Sequence, residues 1–275
     1  MSVWFVTGAS RGLGAEIAHA AVAGGEDVAV AVRNPDRLPE DLKGRVFAVA
    51  LDVTRADDIP AAVRQVTDRF GRIDVLVNNA GRGLLGALEE ITDAEARSLF
   101  DLNVFGLINV TRAVLPVMRA QGGGKLVHIG SRSGFEGEPG VSMYSASKFA
   151  VAGISEALSA ELEPFGIQSM VVEPGVFRTD FLDRSSLSVA AHRIPEYDGT
   201  PAHATLDWID EANHTQLGDP VRGAALIHRV TSGDKLPQHL LLGRDAFDRW
   251  EVKVARMADD IAPWRDESVA TAHEE

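Results

Sequence analysis

The stretch VTGASRGLGAEIA, Val6 to Ala18, follows a β-branched run and leads into a segment with helical apolar spacing. Gly8, Gly12 and Gly14 crowd the turn between the two. Positions without a side chain let a backbone come close to a pyrophosphate, and a helix start meets it with free N–H groups and a partial positive charge. The spacing G-x-x-x-G-x-G is a variant of the dinucleotide fingerprint. It carries weight because a strand precedes it and a helix follows.

Outward from this turn the same alternation repeats. Short apolar runs begin at Val3 (VWFV), Val28 (VAVAV), Val46 (VFAVA), Val75 (VLV), Leu126 (LVHI) and Ser169 (SMVV). Such runs need not alternate with polar residues when helices cover both faces of a parallel sheet. Between them, Leu13–Ala23, Ala56–Phe70, Thr92–Ala120 (read as two helices) and Ser142–Pro164 carry apolar residues at three-and-four spacing. Thr92 with Glu95 forms a capping box. A helix over Asp219–Thr231, a strand at His239–Gly243 and a helix from Asp245 to Ile261 complete the order. Strand, helix, strand in repetition predicts an α/β fold, a Rossmann-type doubly wound parallel sheet of about seven strands flanked by helices. No linker divides the chain, so 1–275 is expected to form a single domain. Phe181–Gly218 lacks the rhythm and follows a strand end, where such folds place ligands. It reads as an irregular, substrate-covering insertion. The polar tail 265–275 is expected to fray.

The chain has 275 residues, 45% of them hydrophobic, enough for a large core. Its 27 basic and 40 acidic side chains leave a net charge of -13. Such a surface repels phosphate backbones and anionic lipid, which disfavours nucleic-acid and membrane partners. No apolar run in the sequence reads as a spanning helix, and the first residues lack the pattern of an export signal. Absence of cysteine removes disulfides and thiol chemistry and fits a reducing compartment, so a cytoplasmic location is expected.

The end of the second predicted strand bears on cofactor choice. An acid there would hold a free ribose 2′-hydroxyl, and a cation would accommodate a 2′-phosphate. The sequence places Val32 and then Arg33, and Arg11 stands inside the glycine turn. The two guanidinium groups are expected to converge on one phosphate, which favours NADP over NAD.

Further along, MYSASKF from Met143 sets Tyr144 and Lys148 four residues apart, on one face of a helix. Together with TGASRGLG from Thr7, LDV at Leu51, DVLVNNAG from Asp74 and DLNVFG from Asp101, this segment resembles the short-chain dehydrogenase/reductase family over Ser2 to about Asp180. The resemblance implies an oxidoreductase that interconverts a ketone or aldehyde and an alcohol. Tyr144 would be the general acid or base. Lys148 would lower the phenol's pKa and hold the nicotinamide ribose, and Ser131, preferred over Ser133, would polarise the carbonyl. Asn103 would hold a water in a proton relay. The resemblance also implies cofactor contacts from Gly8, Ser10, Arg11, Gly12, Leu13, Gly14, Arg33, Asp52, Val53 and the stretch Asn78, Asn79, Ala80 and Gly81, which would also brace the sheet. Tyr144, Lys148, Pro174, Gly175, Val176 and Thr179 would complete that set. Asp74 is expected to stabilise a strand turn instead.

The chain departs from the family pattern at His128 and Gly130, before the serine, and His128 is expected to be a satisfied interior histidine. A C-terminal helix replaces the compact glycine-rich ending of tetrameric members, so a homodimer through the helices around Asn103 and Tyr144 is expected. Phe181, Leu182, Tyr197 and Trp208 are candidate pocket lining for a small-molecule carbonyl or alcohol. His192, His203 and His214 recur at intervals of eleven, but Pro195 and Pro201 are read as interrupting any helix that could align them, and no metal is expected. Two rivals are a non-catalytic NADP-binding regulator and a sugar-nucleotide epimerase. The filled catalytic positions argue against the first, and the chain length and glycine spacing against the second.

Overall fold

The computed structural model describes residues 1–273. Strands β1 (Val3–Thr7), β2 (Asp27–Val32), β3 (Phe47–Ala50) and β4 (Val75–Asn78) are followed by the short β5 (Gly83–Leu85), and then by β6 (Gly124–Ile129), β7 (Ile167–Pro174), the short β8 (Leu187–Val189) and β9 (His239–Leu242). Seven of them form one parallel sheet, the number of strands expected, in the order β3-β2-β1-β4-β6-β7-β9. Strand order reverses at β1, which pairs with β2 on one side and β4 on the other. Ligands of open α/β sheets bind at such a point, outside the carboxyl ends of the strands.

The helices are α1 (Gly12–Ala23), α2 (Ile59–Phe70), α3 (Asp93–Phe100), α4 (Leu107–Gln121), α5 (Ser142–Glu161), α6 (Pro201–Ala212), α7 (Pro220–Thr231), α8 (Arg244–Ile261) and α9 (Arg265–Val269). Because successive strand residues point to opposite faces, β1 splits its side chains between two cores. Val6 packs with Val30, Val77 and Val127 beneath Ile17 of α1 and Ile227 of α7. Phe5 packs with Val49, Leu76 and Leu126 beneath Val110, Val114 and Met118 of α4. Asp74, just before β4, accepts from the backbone N–H of Val3 at 2.8 Å and from Arg72, tying the entries of two strands.

Four expectations need correction. The insertion is not irregular: Pro201 opens α6 at its first turn, after Thr200. Proline is at home there, since its missing N–H has no intrahelical partner and its φ is already helical. Leu187–Val189 of the same segment pairs in parallel with Gly83–Leu85 as a second small sheet. The tail does not begin to fray at 265, because Arg265–Val269 is helical; residues 274 and 275 lie outside the described part. Finally, Asp93–Gln121 is helical throughout, and by length and composition alone it could span a bilayer. It is a core helix, with Leu99, Val110, Val114 and Met118 fully buried. Its middle, Asp101–Gly106, is a π-helical turn.

Candidate active site

A cavity of about 1110 Å³ opens over the carboxyl ends of the sheet strands. The residues proposed from the sequence to touch a cofactor line it, from Gly8 at one end to Thr179 at the other, except Asn78, which is buried behind the wall and donates to Thr111 Oγ1 at 2.9 Å. Its nucleotide-side floor is a backbone construction. Asn79, just past β4, donates its Nδ2 to the carbonyls of Thr7 and Gly8, 3.0 Å each. Thr7 Oγ1 returns the tie by accepting from the N–H groups of Asn79 and Ala80 at 3.0 and 3.2 Å. Gly8 and Gly12 adopt φ of 70° and 57°, the left-handed region that favours glycine. A Cβ on Gly14 would sit 2.2 Å from Asn79 Nδ2 and 2.6 Å from the Gly8 carbonyl, so only glycine leaves the floor open. A pyrophosphate-sized anion fits this bare turn at the start of α1.

At the adenosine end, Val32, Arg33 and Asp52 line the wall. Burial raises the Asp52 carboxyl, but the hydrogen bonds from Thr54, with help from Arg33 and Arg55, leave it below the usual range. Arg33 is exposed. Arg11 does not turn toward it. Its guanidinium donates to Ser185 Oγ at 2.6 Å, the Ser185 carbonyl at 2.9 Å and Ser186 Oγ at 2.7 Å, so the expected convergence of two arginines is not the arrangement seen.

The reactive side chains gather midway. Ser131 lies two residues past the end of β6, and Tyr144 and Lys148 lie on the buried side of α5, all three facing the cavity. The Lys148 ammonium donates to the Ile129 carbonyl at 2.8 Å and stands 5.8 Å from the centre of the Tyr144 ring. Burial pushes Lys148 down to about 8. Burial also pushes the Tyr144 phenol up to about 12, with a hydrogen bond from Ser131 working against it, Glu138 adding to it and Arg132 opposing it. The expected depression of this phenol by Lys148 is therefore not found; desolvation outweighs the nearby charges. Ser133 is already used, its hydroxyl donating to Glu138 Oε1 at 2.9 Å while its N–H binds Ser131 Oγ at 3.1 Å.

Asn103 stands one layer behind the wall, in the π-helical turn. Its Oδ1 accepts from the Arg82 N–H at 2.9 Å, and its Nδ2 donates to the Arg82 carbonyl and to Ser147 Oγ at 2.9 and 3.1 Å. It thereby fixes the strand-end loop after Gly81 to α5. His128 is fully buried and kept neutral, its pKa lowered to about 4 by desolvation. It faces Asn78 Nδ2 at 3.1 Å through Nδ1, while Nε2 has no protein partner, so it is only half satisfied.

Sequence reading missed Asp245. Its Oδ2 accepts from the Val176 N–H at 2.9 Å and from Arg132 at 3.1 Å, and a Cβ on Gly175 would lie 2.1 Å from its Oδ1. This acid in the first turn of α8 anchors both Pro174–Val176 and the loop after Ser131; its only trace in the sequence is an acidic residue at a helix start. Also missed was the clamp on α6. Buried His203 meets Glu90 Oε1 at 2.8 Å and Asp198 Oδ1 at 2.9 Å, so the residue considered as a metal ligand is an ion-pair partner. Among the pocket candidates, Phe181, Leu182 and Trp208 line the cavity. Tyr197 does not; its hydroxyl reaches Glu89 at 3.1 Å.

With this geometry in place, comparison with known proteins is decisive. Residues 2–188 match the family model described as short chain dehydrogenase. The chain belongs to the short-chain dehydrogenase family. This short-chain dehydrogenase is 36% identical to the oxidoreductase BOA17 of Botryotinia fuckeliana over 274 residues, 98% of this chain and 99% of that one. It is 41% identical to the 3-ketodihydrosphingosine reductase of Bacteroides thetaiotaomicron over 192 residues, 70% of each. A short-chain dehydrogenase from Streptomyces avermitilis superposes with a TM-score of 0.91 at 39% identity, covering 99% of both chains. The chain is thus an oxidoreductase of a family that uses nicotinamide nucleotides and small-molecule substrates.

Proposed function

We propose that this oxidoreductase reduces a ketone or aldehyde bearing an apolar substituent at the expense of NADPH, with Tyr144 as the proton donor. The observation that carries the reading is the convergence of Ser131, Tyr144 and Lys148 on the wall shared by the glycine floor and an apolar chamber of Leu85, Val141, Phe181, Leu182, Trp208 and Ile209. When bound, the nucleotide supplies a hydride to the carbonyl carbon. The floor of Gly8, Gly12 and Gly14 would hold its phosphates, Arg33 would meet a 2′-phosphate, and Pro174–Thr179 would border the nicotinamide. Ser131 would donate a hydrogen bond to the carbonyl oxygen and stabilise the charge that develops there.

A phenol near 12 stays protonated at every physiological pH. It can still give its proton to an alkoxide, whose conjugate acid resembles water at about 15.7. The raised pKa holds Tyr144 in its proton-donor form; the same residues catalyse both directions, and the nucleotide and substrate ratios decide the net one. Lys148, held by the Ile129 carbonyl, would orient the nucleotide ribose and keep a positive charge near the phenolate that proton donation leaves. The apolar chamber and the name of the Bacteroides relative both favour a long or bulky ketone substrate.

The test is consumption of NADPH and NADH with a panel of ketones and aldehydes. Activity on apolar ketones with NADPH preferred, and a loss of that preference in Arg33→Asp, is the expected result; no turnover of either nucleotide with any carbonyl would favour a binding protein instead. The exposed Phe105 and Phe149, on the π-helical turn and α5, support pairing of two copies through these helices. A monomeric mass by light scattering at micromolar concentration would reject that dimer.

A further inference from the structure

Helix α8 leaves the body of the molecule. Ala246 is buried in its first turn, and Arg249 and Arg256 reach back to Glu136 at 3.2 and 3.4 Å. From Val254 onward every described residue is exposed. Along this arm Phe247, Trp250, Val254, Met257 and Ile261 follow one another at intervals of three and four, and Trp264 lies one 3-10 turn further. All six are between 44% and 62% exposed. An alternating three-and-four row is the seam of a helix pair, and a lone helix gains most of its stability from covering such a face.

We propose that a second copy of this chain covers the row, its own α8 lying antiparallel about a two-fold axis that passes between Ala255 and Arg256. In that register Val254 of each copy meets Met257 of the other, Trp250 meets Ile261 and Phe247 meets Trp264. The row itself decides the register: only the central one gives each of its six members a partner from the row, and a one-heptad shift either way leaves two of them uncovered in each copy. Lys253 of each copy falls beside Asp260 of the other, an attractive pair formed twice. A shift of one heptad in one direction sets Lys253 against Lys253 and Glu251 against Glu251. A shift in the other sets Asp260 against Asp260, offset by Glu251 against Arg265 and Lys253 against Glu267. The central register, joining Lys253 to Asp260 twice, has Arg244 against Arg265 as its one like pair, at the two ends of the contact.

The area is adequate. A large apolar side chain carries roughly 150–200 Å², so covering the exposed half of six in both copies removes about 1,000 Å², and the flanking stems bring the pair to the lower edge of specific interfaces at about 1,200 Å². Being isologous, the contact closes on itself. It uses none of the residues of the α4 and α5 pairing proposed above, so the two could coexist in one assembly. It also brings the end of one arm to the base of the other, where Arg249 lines the cavity.

The absence of native cysteine makes the test direct. Lys253→Cys and Asp260→Cys proteins are oxidised separately and as an equal mixture. The proposal expects a disulfide-linked pair in the mixture at least about fivefold above either protein alone, the ratio that about 1 kcal/mol of register preference produces. It also expects Ile261→Asp to halve the sedimentation mass while circular dichroism of the body and NADPH turnover persist. Self-linking of either variant as efficient as the mixture overturns the register. A mass that Ile261→Asp leaves unchanged overturns the self-association, including the case in which the arm binds lipid vesicles instead.

Discussion

The two walls of the cavity are held by different forces. On the nucleotide side, Thr7, Gly8 and Asn79 leave adjacent strand ends and are tied by carboxamide and hydroxyl bonds to backbone. On the substrate side, the segment 181–218 is tied through charges from far along the chain, Arg11 to Ser185 and Ser186 and Glu90 to His203, with Asp198 of the same segment on the other side of that histidine. The first wall contains no titrating group in its ties and keeps its shape at any pH where the sheet stands. The second depends on protonation. A site that must hold a dinucleotide in one pose and admit a substrate from solvent is well served by one fixed wall and one responsive wall.

The largest test lies at the seam between them. Tyr144→Phe should lower kcat by about 10² to 10⁴ while nucleotide affinity by titration calorimetry stays near wild type. A near-normal rate would remove the phenol from the chemistry. Next comes the fixed wall. Gly14→Ala places a methyl where Asn79 Nδ2 now sits, 2.2 Å from the added carbon, and should displace the amide that ties Thr7 and Gly8. The expected cost is about 1–3 kcal/mol in urea unfolding and at least about tenfold in nucleotide affinity. Unchanged binding would show that the floor is less rigid than its bonds imply.

Lys148→Met sharpens the comparison in the opposite sense. The ammonium is buried with one hydrogen bond for three donors, and its pKa falls to about 8 from 10.5. A lowered lysine opposes folding fully below about 8, and the penalty fades as pH rises toward its unfolded value. The variant should lose activity yet gain on the order of 2–3 kcal/mol of stability near pH 7, less near pH 9.5, by chemical unfolding. Equal gains at both pH values would contradict the burial argument.

The smallest effect belongs to the responsive wall. Burial opposes charging of His203, but the hydrogen bonds to Glu90 and Asp198 leave its pKa raised from 6.5. Glu90 and Asp198 are lowered from 4.5 and 3.8. The histidine's contribution is complete below 6.5 and is lost as pH rises through its higher folded value; those of the carboxylates are present above their unfolded values and lost as pH falls through the folded ones. Limited proteolysis within 190–200 should therefore quicken from about pH 6 to about pH 9, and in His203→Gln the rate should be flat over that range.

These differences also explain what could be read from the sequence. The seven-strand sheet and the glycine floor were legible because each depends on neighbouring residues: β-branched runs, glycine spacing, a capping threonine. Strands β5 and β8 were not, since three residues carry no periodicity. Helix α6 was hidden by reading Pro201 as a breaker, although Thr200-Pro201 is a helix opening. The direction of the Tyr144 pKa was out of reach, because four-residue spacing places a cation nearby and says nothing about how dry the site is. Arg11 could be assigned to a phosphate only while its partners, 174 and 175 residues away, were unknown.

The wide turn at Asp101–Gly106 carries one residue more than a regular α-helix would use. Deleting a single residue there would let Asp93–Gln121 close into an unbroken spiral with better internal bonding, and would swing Asn103 about a quarter-turn off the Arg82 backbone and Ser147. The protein thus keeps a local irregularity whose repair would tidy the rod and unseat the loop beside Gly81. Selection for thermal endurance and selection for turnover would pull this one residue in opposite directions.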